Sequence, residues 1–155
     1  MRRKLIALVL GIAAMVFSAS PASATSGRMF SGGPGMSDYC LATQEPVVFV
    51  FSQCGKENYP DQKWSQVYWA EKGGYQIRSL YRDGCLAAHE DGTVFTIAAP
   101  CGGYADQFWR PFDGQWGMWE NVFHAGRCLA AHADGKVFLA PCTKEWTDQH
   151  WFMNS

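Results

Sequence analysis

Three times the chain places an aromatic residue two positions ahead of an Asp, at Tyr59-Pro60-Asp61-Gln62, Tyr104-Ala105-Asp106-Gln107 and Trp146-Thr147-Asp148-Gln149. On a short surface loop, a ring beside a carboxylate is a stacking platform next to a hydrogen-bond acceptor, which is what a sugar or another ring-bearing ligand requires. The competing reading is structural: the ring covers a neighbouring disulfide and the Asp accepts backbone amides of its own turn. Recurrence does not separate the two, because symmetric structure and symmetric binding both repeat. A second pattern, His-x-Asp-Gly, occurs at His89-Glu90-Asp91-Gly92 and His132-Ala133-Asp134-Gly135. Such a pair offers acid–base or metal chemistry, but no third ligand accompanies either copy, and Asp-Gly is first of all a hairpin-turn dipeptide. Nucleophilic catalysis finds no constellation. There is no Gly-x-Ser-x-Gly, and His124 and His150 lack a patterned acid partner. Neither catalysis nor a cofactor or metal is expected.

The elements that carry these residues repeat as well. Asp-Gln-x-Trp occurs at Asp61–Trp64, Asp106–Trp109 and Asp148–Trp151, 45 and 42 residues apart, a spacing that marks repeated supersecondary units. Upstream of each copy, Cys-Leu-Ala opens at Cys40, Cys85 and Cys128, and a second cysteine follows at Cys54, Cys101 and Cys142. Repeats two and three are close copies from Cys85 to Phe95 and from Cys128 to Phe138. Repeat one has Gln44 and Pro46 where the others carry His and Asp, so it is expected to be the least active. Asp-Gly turns followed by Val-Phe, and the run Val47–Phe51, read as short strands, the latter mostly buried. No stretch after residue 24 sustains a helical period, so the fold class is all-β. Two cysteine pairings respect the threefold pattern: within each repeat, or each closing cysteine with the next opening one. The first is preferred, since it brackets a hairpin with nearly equal loops, and each loop of about 15 residues contributes roughly 3 kcal/mol by restricting the unfolded chain.

Composition sets outer limits. The 155 residues are 48% hydrophobic and 17% charged, an ordinary balance for one globular domain. A basic head (Arg2, Arg3, Lys4), a 13-residue apolar stretch from Leu5 to Phe17 and the small residues Ala22-Ser23-Ala24 read as a secretory signal peptide, cleaved after about Ala24 and too short to span a bilayer. The remainder has 10 Lys+Arg against 14 Asp+Glu, a net charge of −4 with no basic run. Nucleic-acid binding and membrane insertion are therefore not expected. All six cysteines fall in the exported part, where an even count argues for disulfides.

Three repeats of this kind, each with Cys-Leu, a turn, a closing Cys and Gln-x-Trp, resemble the ricin B-type β-trefoil lectin family. The resemblance runs from about Arg28 to the C-terminus, with repeats at about 28–69, 70–114 and 115–155. It is supported by Gly74-x-x-Ile77-Arg78 before Cys85 and by Trp116-Gly117-Met118-Trp119 before Cys128. It implies that Trp64, Trp109 and Trp151 pack at a pseudo-threefold core, that Gln62, Gln107 and Gln149 tie loops to the backbone, and that no catalytic domain is present. The family's sugar pocket uses an Asp, an aromatic and an Asn. Here those positions hold Ala42, Ala87 and Ala130; Ser52, Ala99 and Ala140; and Asp61, Asp106 and Asp148. The usual galactose pocket is thus not expected.

The expected protein is a secreted, monomeric, non-catalytic module that binds carbohydrate through the aromatic-x-Asp-Gln loops. Its candidate ligand residues are Tyr59, Asp61, Tyr104, Asp106, Trp146 and Asp148, with His89, Asp91, His132 and Asp134. The alternative is a protein-interaction module, an inhibitor or toxin delivery subunit, with a secreted or cell-surface protein as partner. It would use an aromatic patch around Trp116 and Trp119, provided that these, with Trp69, Tyr68, Tyr75 and Tyr81, do not instead fill the barrel.

Overall fold

Strands form where β-branched and aromatic residues alternate with polar ones, and glycines and short polar turns end them. In the computed structural model, residues 25–55 and 59–154 are described, without the side chains of Gln115 and Trp116. The expected signal peptide lies outside them. Four strands come from each repeat: β1 (Thr25–Ser31), β2 (Cys40–Gln44), β3 (Val47–Phe51) and β4 (Trp64–Trp69); β5 (Gly74–Ser79), β6 (Cys85–Ala88), β7 (Val94–Ile97) and β8 (Trp109–Phe112); β9 (Gln115–Asn121), β10 (Arg127–Ala131), β11 (Val137–Pro141) and β12 (Trp151–Asn154). The first and fourth strands of the repeats make a six-stranded barrel. Its antiparallel circuit runs β12-β1-β4-β5-β8-β9 and closes through the Met118–His150 bridge. The middle strands form three hairpins, β2-β3, β6-β7 and β10-β11, that cap one end of the barrel. This is a β-trefoil.

The cap closes on itself by a threefold set of backbone bonds. The amide of Thr96 donates to the Pro46 carbonyl, that of Leu139 to Gly92 and that of Val50 to Gly135, at 2.9, 2.8 and 3.0 Å. Each hairpin turn thus offers one carbonyl to the returning strand of a neighbour. Gly92 and Gly135 sit at φ of +94° and +97°, a conformation that side chains resist, which explains glycine at these two turns. The strand Val47–Phe51 forms as expected but is not mostly buried. Val48 and Val50 point to the core, and Val47 is exposed, because a hairpin on the barrel rim has only one covered face.

Below the cap, three buried tryptophans hold the two layers together. The indole N–H of Trp64 donates to the Leu41 carbonyl, that of Trp109 to Leu86 and that of Trp151 to Leu129, at 2.8, 2.9 and 3.0 Å. Each bond links the start of a barrel strand to the Leu of the Cys-Leu-Ala that opens the hairpin of the same repeat. The disulfides join Cys40 to Cys54, Cys85 to Cys101 and Cys128 to Cys142, within repeats, with Cα separations of 5.5, 5.6 and 4.9 Å. Gln62, Gln107 and Gln149 are all buried. Gln149 bridges its loop, accepting from the Thr143 amide and donating to the Pro141 carbonyl at 2.9 Å each. The Oε1 atoms of Gln62 and Gln107 have no partner among the described residues.

The aromatic residues between repeats divide. Trp119 is 2% exposed and packs edge-on to Tyr75, 5.6 Å between centroids, so it belongs to the core and cannot anchor an adhesive patch. Tyr68 and Tyr81 are exposed. The patch expected around Trp116 and Trp119 is therefore corrected at Trp119, and the Trp116 side chain lies outside the described residues. One consequence concerns the indole bonds. Trp109→Phe keeps a ring in the core but strands the Leu86 carbonyl, and should cost about 2–4 kcal/mol in denaturant unfolding. An unchanged unfolding midpoint would mean that the bond carries no weight.

Candidate functional site

Each Asp-Gln pair ends a single turn of 3-10 helix, at Pro60–Gln62, Ala105–Gln107 and Thr147–Gln149. The Gln and the following Trp are buried, which leaves the aromatic just before the turn to project outward. Tyr59, Tyr104 and Trp146 are 39%, 71% and 51% exposed. Each ring therefore keeps a substantial part of its surface open to solvent. No backbone amide among the described residues donates to the carboxylates of Asp61, Asp106 or Asp148. The Oδ1 atoms of Asp61 and Asp148 are enclosed without a partner among the described residues.

These loops border three concave pockets, one per repeat, of about 400, 340 and 460 Å³. All lie in the range of about 300–1,000 Å³ usual for small-molecule sites. Each pocket has three sides. The first is the aromatic-x-Asp loop. The second is the start of the hairpin turn of the same repeat: Thr43 to Glu45, Ala88 to Glu90, or Ala131 to Ala133. The third comes from the next repeat: Tyr81 and Arg82, Phe123 and His124, or, for repeat three, Pro34 and Met36. Repeat one thus has an equivalent pocket although it lacks His-x-Asp-Gly, with Gln44 in the position of the histidine.

The structure splits the His-x-Asp-Gly pattern. His89 and His132 reach the pockets, where His132 Nε2 lies 4.0 Å from Asp148 Oδ2. His89 stacks on Phe95, 4.1 Å between centroids, and His132 meets Phe138 edge-on at 4.5 Å. Asp91 and Asp134 turn away from these pockets and cap their own hairpins, accepting from the amides of Thr93 and Lys136 at 2.8 and 3.0 Å. Those backbone bonds are the main reason that both carboxyls sit below the usual carboxylate range. Asp91 lines instead a cavity of about 650 Å³ where the hairpins meet. As ligand residues of the repeat pockets, Asp91 and Asp134 are therefore corrected to turn caps.

Sequence reasoning missed the third side of each pocket and the second carboxylate, Glu45, Glu90 or Glu145. A signal for the third side exists: Met36, Tyr81 and Phe123 all stand four or five residues before an opening cysteine. They belong to the following repeat in sequence, so a search confined to one repeat passes over them. Of the nine positions that replace the family's sugar ligands, only Asp61, Asp106 and Asp148 line these pockets. Ala42, Ala87 and Ala130 are fully buried.

The loop that bears Phe123 is fastened to the barrel by charge. Burial opposes ionisation of Glu120, but Arg110 Nε at 2.6 Å and the Gly126 amide at 2.5 Å outweigh it and hold its pKa below the ordinary value. A lowered folded pKa stabilises the fold at pH above the unfolded value and loses that contribution as pH falls through the folded one. Glu120→Gln should cost about 1–3 kcal/mol at pH 7 and show a shallower stability loss than the wild type between pH 5 and 3, by thermal unfolding. Parallel pH curves would remove this pairing as a source of stability.

The ricin-type β-trefoil lectin domain model matches residues 28–152, and the chain belongs to that family. No curated protein sequence matches it. Similar solved structures include a mosquitocidal holotoxin (20% identity, TM-score 0.66), with 86% of this chain and 16% of that chain covered. A non-toxic homologue of type II RIPs from Momordica charantia (bitter gourd), in complex with α-methyl-D-galactoside, shares 18% identity at a TM-score of 0.63, over 85% of this chain and 48% of that one. An endo-β-galactosidase from Clostridium perfringens that releases GlcNAcα1-4Gal shares 14% at 0.67, over 83% and 31%. The chain spans less than half the length of each, and these likenesses describe the fold.

Proposed function

We propose that the protein is an exported, non-catalytic carbohydrate-binding module that holds glycan in the three repeat pockets, which keep only one of the family's three usual ligand positions in each repeat. The observation that carries this is the pocket geometry: an exposed ring and a carboxylate from one loop, facing hairpin-turn residues across a concave space, three times over. The ring stacks on the apolar face of a pyranose, and the acceptors Asp61, Asp106 and Asp148 take its hydroxyl protons. His89 and His132 add a nitrogen that donates or accepts. Export rests on the character of residues 1–24, and the absence of catalysis on family membership and the lack of a nucleophile motif. With Trp119 in the core, no described feature favours the protein-interaction alternative over glycan.

A glycan array probed with the oxidised protein, residues 25–155, should give a defined set of hits. Tyr104→Ala and Trp146→Ala combined in one protein should weaken them by roughly 10-fold, the value of a stacked ring, with the melting temperature unchanged. A blank array on folded protein, or hits indifferent to both changes, would overturn the proposal.

A further inference from the structure

Resting on the glycan reading above, we infer that the repeat-two pocket is a composite site, with Phe123 as its second ring and Asn121 as a positioning residue. It is the principal site, and it takes a glycan segment of at least two sugars rather than a single one.

A threefold bond first fixes the third side of every pocket. The Leu80 amide donates to the Lys63 carbonyl, that of Val122 to Phe108 and that of Gly32 to His150, at 2.8, 2.9 and 2.7 Å. Lys63, Phe108 and His150 are the variable residues of Gln-x-Trp. The loop arriving from the next repeat is therefore registered against the segment that immediately follows the aromatic-x-Asp turn. Neither side can drift without breaking a backbone bond.

Repeat two then adds what the others lack. At the end of the strand before the incoming loop, repeats one and three use Ser79 and Ser31, whose hydroxyls each accept one amide, from Tyr81 and Gly33, at 3.2 Å. The corresponding residue for repeat two is Asn121, fully buried. Its Oδ1 accepts from the amides of both Phe123 and His124 at 3.1 Å, and its Nδ2 donates to the Asp106 carbonyl at 2.8 Å. One carboxamide thus ties the loop bearing Phe123 directly to the residue that supplies the acceptor. A serine hydroxyl is too short for both tasks. His124 Nε2 lies 3.1 Å from the Ala88 carbonyl and joins the same loop to the hairpin side.

Phe123 is 65% exposed on this well-fixed loop, and its only ring neighbour among the described residues is the edge of His124, 4.9 Å away. The core gains little from it. With Tyr104 it gives the pocket two exposed rings on separate loops, and each stacks on one sugar. In repeat one the second ring, Tyr81, already has the Arg82 guanidinium over it at 5.1 Å. In repeat three the third side is Pro34 and a buried Met36, with no ring.

The test is calorimetric titration of the oxidised protein, residues 25–155, with glucose, galactose, xylose and N-acetylglucosamine, each as the monosaccharide and as its β-1,4-linked tetrasaccharide. The sugar that binds should do so at least roughly 10-fold more tightly as the tetrasaccharide. Phe123→Ala should remove most of that advantage while leaving the melting temperature in place. Asn121→Ser, which keeps an acceptor but loses the reach to Asp106, should lower the same tetrasaccharide-to-monosaccharide ratio, a quantity that a purely structural role would not move. Tyr81→Ala should change it less than about 3-fold. Equal affinities for both lengths, or a ratio unmoved by Phe123→Ala, would overturn the inference and leave the glycan reading standing. No binding by any sugar at either length would overturn both.

Discussion

The bond from each buried indole N–H to a leucine carbonyl is the constraint on which the rest of the trefoil depends. It joins the barrel to the hairpin cap in every repeat, with closely similar lengths at Trp64, Trp109 and Trp151. Both partners are sealed from water, so an unmade bond would leave a buried donor and acceptor without compensation. Everything outward follows from it. The Trp fixes where its strand begins, the Gln two residues earlier is drawn inside with it, and the short helical turn before them has one direction left in which to place its aromatic. The disulfides close the other side of the same unit.

A division of labour among the acidic residues comes from the same geometry. Asp91 and Asp134 satisfy themselves on the amides of their own turns and stabilise the hairpins. Among the described residues Asp61, Asp106 and Asp148 receive no such amide, although they too follow the first residue of a turn. Their side chains line the pockets instead. The alanines at the family's usual acid positions are buried, and the exposed rings and carboxylates of each repeat stand instead at the rim, where neighbouring repeats meet.

Fold and pairing were legible in the sequence because they repeat in register: three Gln-x-Trp, three cysteine pairs and two Asp-Gly turns each point to the same unit. The rims were half legible. Tyr59, Tyr104 and Trp146 stood out by spacing, since local chain geometry alone exposes them. The hairpin-turn reading of Asp-Gly held at Asp91 and Asp134, and the neighbouring histidines reach the pockets from the other side of the same tight turns. Phe123, Asn121 and Tyr81 were not legible as site residues. Their segments are set against the preceding repeat by a backbone bond, and the spacing before the opening cysteine takes on meaning only once that contact is seen. Trp119 was ambiguous for a related reason: a barrel strand and an exposed strand share the same pattern when only one face is covered.

The most direct test follows backbone amides in a ¹H–¹⁵N correlation spectrum of the isotope-labelled protein during titration with the strongest glycan from the array. If the repeat rims hold the sugar, the signals that move first are those of residues 88–90, 104–107 and 121–124, followed by the matching segments of repeats one and three. Saturable shifts confined to the open barrel end near Tyr68 and Phe152, or to the cap cavity around Val47 and Thr93, would contradict it.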